Sequence, residues 1–213
     1  MQQRAPVFIG LFHLDAERKI HVLQSCGING ADEGSGETNY FRQAQIEQLR
    51  EGCVSLRDRA IIEVLRSTGA RVGEIPQINI DHVDWATGDI MIMSEKSYKY
   101  RLLYLDEVAR YHLKKYLDSR TDDNEALFVW DKAPYNRLKK SGIRNAMKEV
   151  GKNMDCKVYP HKLRKTLGVN LKDKGTDIGT IQEVMGHANP TVTSRYYAQI
   201  SPEAMRDVRR RTA

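Results

Sequence analysis

The sequence predicts one α+β domain that is mainly helical and carries a small three-stranded antiparallel sheet. Apolar residues recur at helical spacing in most segments after residue 40, whereas period-two alternation is confined to residues 82–105. No internal repeat interrupts this pattern. The 213 residues suffice for one domain with a well-buried core and a short arm.

The first 39 residues differ in composition from the rest. They contain three basic and five acidic side chains, and the stretch GINGADEGSGET is typical of a loop or linker. We therefore expect an N-terminal arm of unassigned role over residues 1–39 and the main domain over residues 40–213. That domain carries a formal charge of +8, which fits either a solvated surface or a polyanionic partner such as nucleic acid.

Helices with capping signals open the domain. AQIEQLREG predicts a short helix that ends at Gly52. Ser55 then caps the helix LRDRAIIEVLRSTG, and Gly69 supplies its left-handed terminal residue. ARVGEIPQI predicts one further helical turn.

The three strands are predicted next. HVDWATGDIMIM alternates on both sides of the Ala86-Thr87-Gly88 turn, which indicates a hairpin. YRLLYL, residues 100–105, predicts the third strand, and the loop SEKSYK joins it to the second.

The remaining segments are predicted to be helical. Asp106 caps EVARYHLKKYLDSR, and ALFVW is a short buried segment. YNRLKKSGIRNAMKEVGKNM and HKLRKTLGVNLKDKG are amphipathic, and the second ends at Gly175. DIGTIQEVMGH follows, and a polar basic helix that begins at Pro202 closes the chain.

Several classes of protein are disfavoured. No apolar run approaches the roughly 20 residues that cross a membrane, and no secretory signal pattern is present. The cysteines Cys26, Cys53 and Cys156 have neither metal nor disulfide spacing and fit a reducing cytosol. The scattered histidines predict no zinc site. We expect a cytoplasmic protein without a metal ion or cofactor.

Groups suited to phosphodiester chemistry follow one another along the domain. Negative charge gathers on the phosphate oxygens in the transition state, and guanidinium groups stabilise it. A hydroxyl group must attack the phosphorus, and an acid must give a proton to the leaving oxygen. Each residue alone has an ordinary explanation, as a surface charge or a packed side chain, but their joint occurrence favours function. The candidates are Arg71, Lys96, His161, Arg164, His187 and the pair Tyr196 and Tyr197.

This ordered set resembles the catalytic domain of the tyrosine recombinase (phage integrase) family over roughly residues 42–205. TGARVGEI resembles the first arginine box, HKLRKT the His-x-x-Arg box, and MGH the third element. Ala70 and Met185 stand where leucine is usual. The resemblance implies the fold of DNA breaking-rejoining enzymes and a site-specific recombinase or integrase acting on double-stranded DNA.

The resemblance also implies roles at the phosphate. Arg71 and Arg164 hold the scissile phosphate, and His187 hydrogen-bonds one of its oxygens. Lys96 protonates the leaving 5′ oxygen; Lys99 lies three residues later, but the register of KYRLLYL favours Lys96. His161 accepts the proton of the tyrosine.

The nucleophile has two candidates. Tyr196 lies nine residues and Tyr197 ten residues after His187, and family members use both spacings. The match of HANPTVTSRYYAQIS to one subgroup favours Tyr197. Neighbours on a helix point about 100° apart, so only one can face the phosphate.

The family also suggests an assembly and leaves alternatives open. Its segment after the tyrosine docks onto a neighbouring protomer, which implies a homotetramer on DNA through exchange of the C-terminal helix. A catalytically silent DNA-binding module, or relaxation of DNA like that of a type IB topoisomerase, would use the same basic cleft.

Glu74 is interpreted as structural. Members usually carry a separate helical domain ahead of this one, for which residues 1–39 are too short.

Overall fold

The structure, a computed structural model, describes residues 39–93, 100–154 and 156–186. Within these ranges the chain forms six α-helices and one antiparallel sheet, which confirms a mainly helical α+β fold. Four candidate site residues lie outside the described residues, as does the predicted arm except for its last residue. These four are Lys96, His187, Tyr196 and Tyr197.

The helices and strands follow the predicted order. Two short 3-10 turns, Ile75–Gln77 and Ile80–His82, precede the sheet. None of the described helices is long and apolar enough to cross a membrane. The elements are α1 Gln43–Glu51, α2 Leu56–Thr68, β1 Asp89–Met93, β2 Tyr100–Tyr104, α3 Glu107–Asp118, α4 Lys140–Lys152, α5 Pro160–Asp173 and α6 Ile178–Met185.

Helix α2 is the central element of the core. Ser55 Oγ accepts a hydrogen bond from the backbone N–H of Asp58 at 3.0 Å, and Gly69 ends the helix with φ of 57°, so both predicted caps are confirmed. The helix packs against the other helices α1, α3, α4 and α5 and against strand β2. Its buried apolar residues are Ala60, Ile61, Ile62, Val64 and Leu65.

A buried carboxylate in α2 ties three arginines together. The side chain of Glu63 is fully buried and accepts hydrogen bonds from Arg50 at 2.8 Å, Arg59 at 3.0 Å and Arg66 at 2.6 Å. Burial acts to raise the pKa of Glu63, but the hydrogen bonds and charges of Arg50 and Arg66 outweigh it and leave the pKa lowered. The cluster joins α1 to α2.

The sheet has two strands within the described residues, so the prediction of three strands is wrong. Its first predicted strand is reduced to a single bridge between Val83 and Ile90. The reason is local, because Asp84 Oδ1 accepts hydrogen bonds from the backbone N–H groups of Ala86 and Thr87 and bends the chain into a turn. Beyond the bridge at Val83, the backbone N–H of Asp84 donates to the carbonyl of Asp89 at 2.9 Å, and no regular strand forms in residues 82–88.

Strands β1 and β2 bury one face of the sheet. Ile90 pairs with Leu103, and Ile92 pairs with Arg101, on the inward face. The outward face carries exposed apolar side chains. They are Met91, Met93, Tyr100, Leu102 and Tyr104.

The later helices differ from prediction mainly at one boundary. Asp106 caps α3 by accepting from the N–H of Ala109 at 2.9 Å, as predicted. Helix α4 begins at Lys140, five residues later than predicted. The preceding residues are instead paired across a loop, where Leu138 N–H donates to the carbonyl of Phe128 at 2.8 Å.

We predict that Glu63→Gln lowers the free energy of unfolding by about 3 kcal/mol, because it removes the carboxylate charge that three largely buried guanidinium groups share. Urea unfolding at pH 7 measures the change. Because the pKa is lowered in the folded state, the contribution is present above the ordinary carboxyl pKa and is lost as the pH falls below it.

The matched control is Glu149→Gln, which breaks an exposed pair with Lys152 and should change stability by less than about 0.5 kcal/mol. Equal losses in the two variants would contradict a structural role for the buried cluster.

Candidate active site

Two helices end in left-handed glycine turns next to the predicted site residues. Gly69 ends α2 with φ of 57°, two residues before Arg71, and Gly186 ends α6 with φ of 58°, directly before His187 in the sequence. A Cβ at Gly69 would also lie 2.8 Å from the Cδ2 of Leu167. Both turns therefore need glycine, and both expose backbone carbonyls at a helix C-terminus.

Arg164 joins the two turns. It projects from α5 and is buried. One Nη atom donates a hydrogen bond to the carbonyl of Gly69 and the other to the carbonyl of Met185. A guanidinium group suits this position because carbonyls at the end of a helix lack partners and carry partial negative charge.

Arg71 reaches the same end of α6. Its Nη2 donates to the carbonyl of Gly186 at 2.6 Å. Its Nη1 and its backbone N–H donate to the carboxylate of Glu74 at 2.9 and 2.7 Å. Arg71 and Arg164 thus donate to the carbonyls of adjacent residues, Gly186 and Met185, so the two predicted phosphate-binding arginines are neighbours.

The third arginine at this point, Arg101 of β2, was missed in the sequence. Its Nη1 lies 3.3 Å from Glu74 Oε2, and its Nη2 donates to the carbonyl of Val184 at 3.0 Å. Burial lowers the pKa of the Arg101 guanidinium and so does the charge of Arg71, whereas Glu74 opposes them. Strand alternation offers a signal, because Arg101 shares the inward face with the buried Leu103, where a charge requires a partner.

Glu74, which the sequence analysis interprets as structural, contacts two of the arginines at this site. Its side chain is fully buried and lies between Arg71 and Arg101. A buried carboxylate is stable there because two guanidinium groups and a backbone N–H satisfy it.

His161 lies at the second position of α5, three residues before Arg164, and is exposed. Partial desolvation of its ring lowers the pKa of His161, and the charges of Lys165 and Arg164 lower it further. The imidazole is therefore neutral at pH 7 and able to accept a proton.

The structure brings together three of the six predicted site residues. Arg71 and Arg164 meet at the end of α6, and His161 lies on the helix that carries Arg164. Met93 and Tyr100, which flank the segment that contains Lys96, are paired in the sheet. The roles of all six residues stay predictions. Among the described residues, no group of three His, Cys, Asp or Glu side chains is placed to hold a metal ion.

Comparison with known proteins identifies the family. The model of the phage integrase family matches residues 39–203, and the chain belongs to this family. It is 34% identical over 153 residues to the tyrosine recombinase XerA of Thermococcus kodakarensis, covering 70% of the chain and 53% of that protein. It is 29% identical over 181 residues to XerC of Staphylococcus haemolyticus, covering 79% of the chain and 59% of that protein.

Solved structures agree with the fold. The crystal structure of XerA recombinase superimposes with a TM-score of 0.70 at 32% identity, over 81% of this chain and 64% of that one. The Tn1549 transposon integrase in complex with a circular intermediate DNA superimposes with a TM-score of 0.69 at 17% identity, over 93% of this chain and 76% of that one. The chain spans little more than half the length of the XerA and XerC relatives described above.

We predict that NMR titration places the midpoint of His161 below the ordinary histidine value of about 6.5. Lys165→Met should move the midpoint upward, because it removes one of the two nearby positive charges, whereas Lys174→Met at the other end of α5 should not. Since the folded pKa is the lower one, protonation favours unfolding, and the contribution of His161 to stability falls as the pH drops below about 6.5. A midpoint above 6.5 would contradict this electrostatic environment.

Proposed function

We propose that the chain is the catalytic part of a site-specific DNA recombinase, which cleaves and rejoins DNA strands through a 3′-phosphotyrosine intermediate. The observation that carries the proposal is the meeting of Arg71 and Arg164 at adjacent carbonyls, one residue before His187 in the sequence. Two guanidinium groups side by side match the charge on the oxygens of one phosphate. Membership of the phage integrase family and the similarity to recombinases support the reaction type.

The proposed reaction conserves the energy of the phosphodiester bond. The phenolic oxygen of Tyr197 bonds to phosphorus while the bond to the 5′ oxygen breaks. His161 takes the phenolic proton, Lys96 gives a proton to the leaving oxygen, and His187 hydrogen-bonds a phosphate oxygen. A 5′ hydroxyl of the partner strand then attacks the phosphotyrosine, and Tyr197 leaves with a proton restored. Neither step consumes a nucleotide cofactor.

Double-stranded DNA is the proposed partner. The formal charge of +8 on residues 40–213 favours binding to the phosphate backbone, and two solved neighbours by fold are integrase or recombinase complexes with DNA. We assign the catalytic domain to residues 40–213 and an arm to residues 1–39. We further propose a homotetramer on DNA through exchange of the C-terminal helix, and a location in the cytoplasm with its DNA substrate.

The test is the capture of a covalent adduct. The full chain is incubated with sheared, nicked genomic DNA from its source organism, stopped with detergent, and digested with nuclease. Mass spectrometry then locates the nucleotide-bearing residue in the tryptic peptide YYAQISPEAMR, residues 196–206. We expect the adduct on Tyr197, its loss in Tyr197→Phe, and its retention in the matched variant Tyr196→Phe.

Other outcomes separate the alternatives. An adduct on Tyr196 would overturn the choice of nucleophile. DNA binding without any adduct would indicate a silent binding module and overturn the proposed catalysis. Relaxation of supercoiled plasmid without site preference would indicate a topoisomerase-like activity.

A further inference from the structure

Arg101 is a charged residue on the inward face of a strand. It pairs with Ile92 across the sheet and lies two residues from Leu103, which is buried. Only 8% of its side chain is exposed. Burying a guanidinium group without partners costs free energy, so the buried Arg101 must be stabilised by contacts with other groups of the protein.

Those contacts connect three separate segments of the chain. Nη1 lies within 3.4 Å of both oxygens of Glu74, and Nη2 donates to the carbonyl of Val184 in α6. The side chain also packs against Gly186, where an added Cβ would lie 3.0 Å from Cδ, Nε and Nη1 of Arg101. Arg101 therefore holds β2, the turn after Arg71 and the end of α6 in one arrangement.

Glu74 transmits this arrangement to Arg71. The same carboxylate that Arg101 contacts accepts hydrogen bonds from the backbone and the Nη1 of Arg71. Alone, a Glu74–Arg71 pair would be neutral, whereas Arg101 restores one positive charge beside the proposed phosphate position. The cluster can then fix Arg71 without cancelling the charge that a phosphate requires.

We propose that Arg101 is a positioning residue for DNA cleavage, one that fixes Glu74, and through it the guanidinium group of Arg71, against the end of α6. This inference rests on the proposed function. Arg101 acts through Glu74, because its Nη1 contacts the same carboxylate that accepts hydrogen bonds from Arg71. Its Nε has no hydrogen-bond partner among the described residues, and both of its Nη atoms are engaged within the protein.

The chain offers a matched control. Arg120, in the loop after α3, is buried to a similar degree, with 6% of its side chain exposed. It too donates to a carboxylate, that of Asp122, and to backbone carbonyls, those of Asn124 and Ala126. Arg120→Met and Arg120→Lys therefore remove a similarly buried arginine with similar hydrogen bonds, at a position away from the proposed site.

The first measurement needs no catalysis. NMR of the guanidinium N–H groups, assigned with Arg71→Lys, reports whether the side chain of Arg71 is held. We expect slow hydrogen exchange of these groups in the wild type and in Arg120→Met, and fast exchange in Arg101→Met. Unchanged protection of Arg71 in Arg101→Met would overturn the inference whatever the activity of the protein.

The second measurement is the single-turnover rate of adduct formation, with DNA affinity and the folded fraction recorded for each variant. We expect Arg101→Met to be about 100-fold slower and Arg101→Lys about tenfold slower, at nearly unchanged affinity, because displacement of a catalytic group by about 1 Å has effects of this size. The Arg120 variants should stay within about twofold of the wild type. Arg101→Lys with the full wild-type rate would show that charge alone matters and would overturn positioning.

The two measurements keep the two proposals apart. If the wild type forms no adduct, the proposed function fails and the catalytic purpose of Arg101 fails with it, while the exchange data still decide the link to Arg71. If the wild type forms an adduct and Arg101→Met forms it equally fast, the proposed function stands and the positioning role is overturned.

Discussion

The carboxyl end of helix α6 is the point on which this site depends. Three consecutive carbonyls, those of Val184, Met185 and Gly186, accept hydrogen bonds from three arginines that are distant along the chain. Carbonyls at a helix end have no intrahelical partners and carry partial negative charge, so they attract guanidinium groups without needing a ligand. The protein can therefore gather positive charge in advance of a phosphate, and Glu74 limits the mutual repulsion of two of these arginines.

The surrounding fold brings these arginines to that point. Helix α2 is fixed in the core by its apolar face and by the buried Glu63 cluster, and its terminal glycine turn leads to Arg71. Helix α5 packs on α2 and delivers Arg164 between the two glycine turns. The packed helices α2 and α5 thus orient Arg71 and Arg164 before any ligand binds. Such preorganisation reduces the movement of charged side chains that catalysis would otherwise require.

Local signals in the sequence predicted local structure well. Ser55, Gly69 and Asp106 cap helices as predicted, because each acts on backbone groups within four residues. The first predicted strand fails because Asp84 draws neighbouring N–H groups into a turn, which the alternation of apolar residues does not reveal. The late start of α4 has a non-local cause, since backbone pairing across residues 128–138 replaces its first turn.

The sequence predicted that Arg71 and Arg164 lie together, but it did not predict the contacts that support them. Motif order marked Arg71 and Arg164, but no local sequence pattern links Arg101 to Glu74, which is 27 residues away.

A crystal structure of the chain bound to its cleaved DNA is the most direct test of whether the two arginines bind one phosphate. The proposed arrangement has the guanidinium groups of Arg71 and Arg164 within about 3 Å of oxygens of one and the same phosphate. Contacts of the two arginines with different phosphates, or with none, would contradict it.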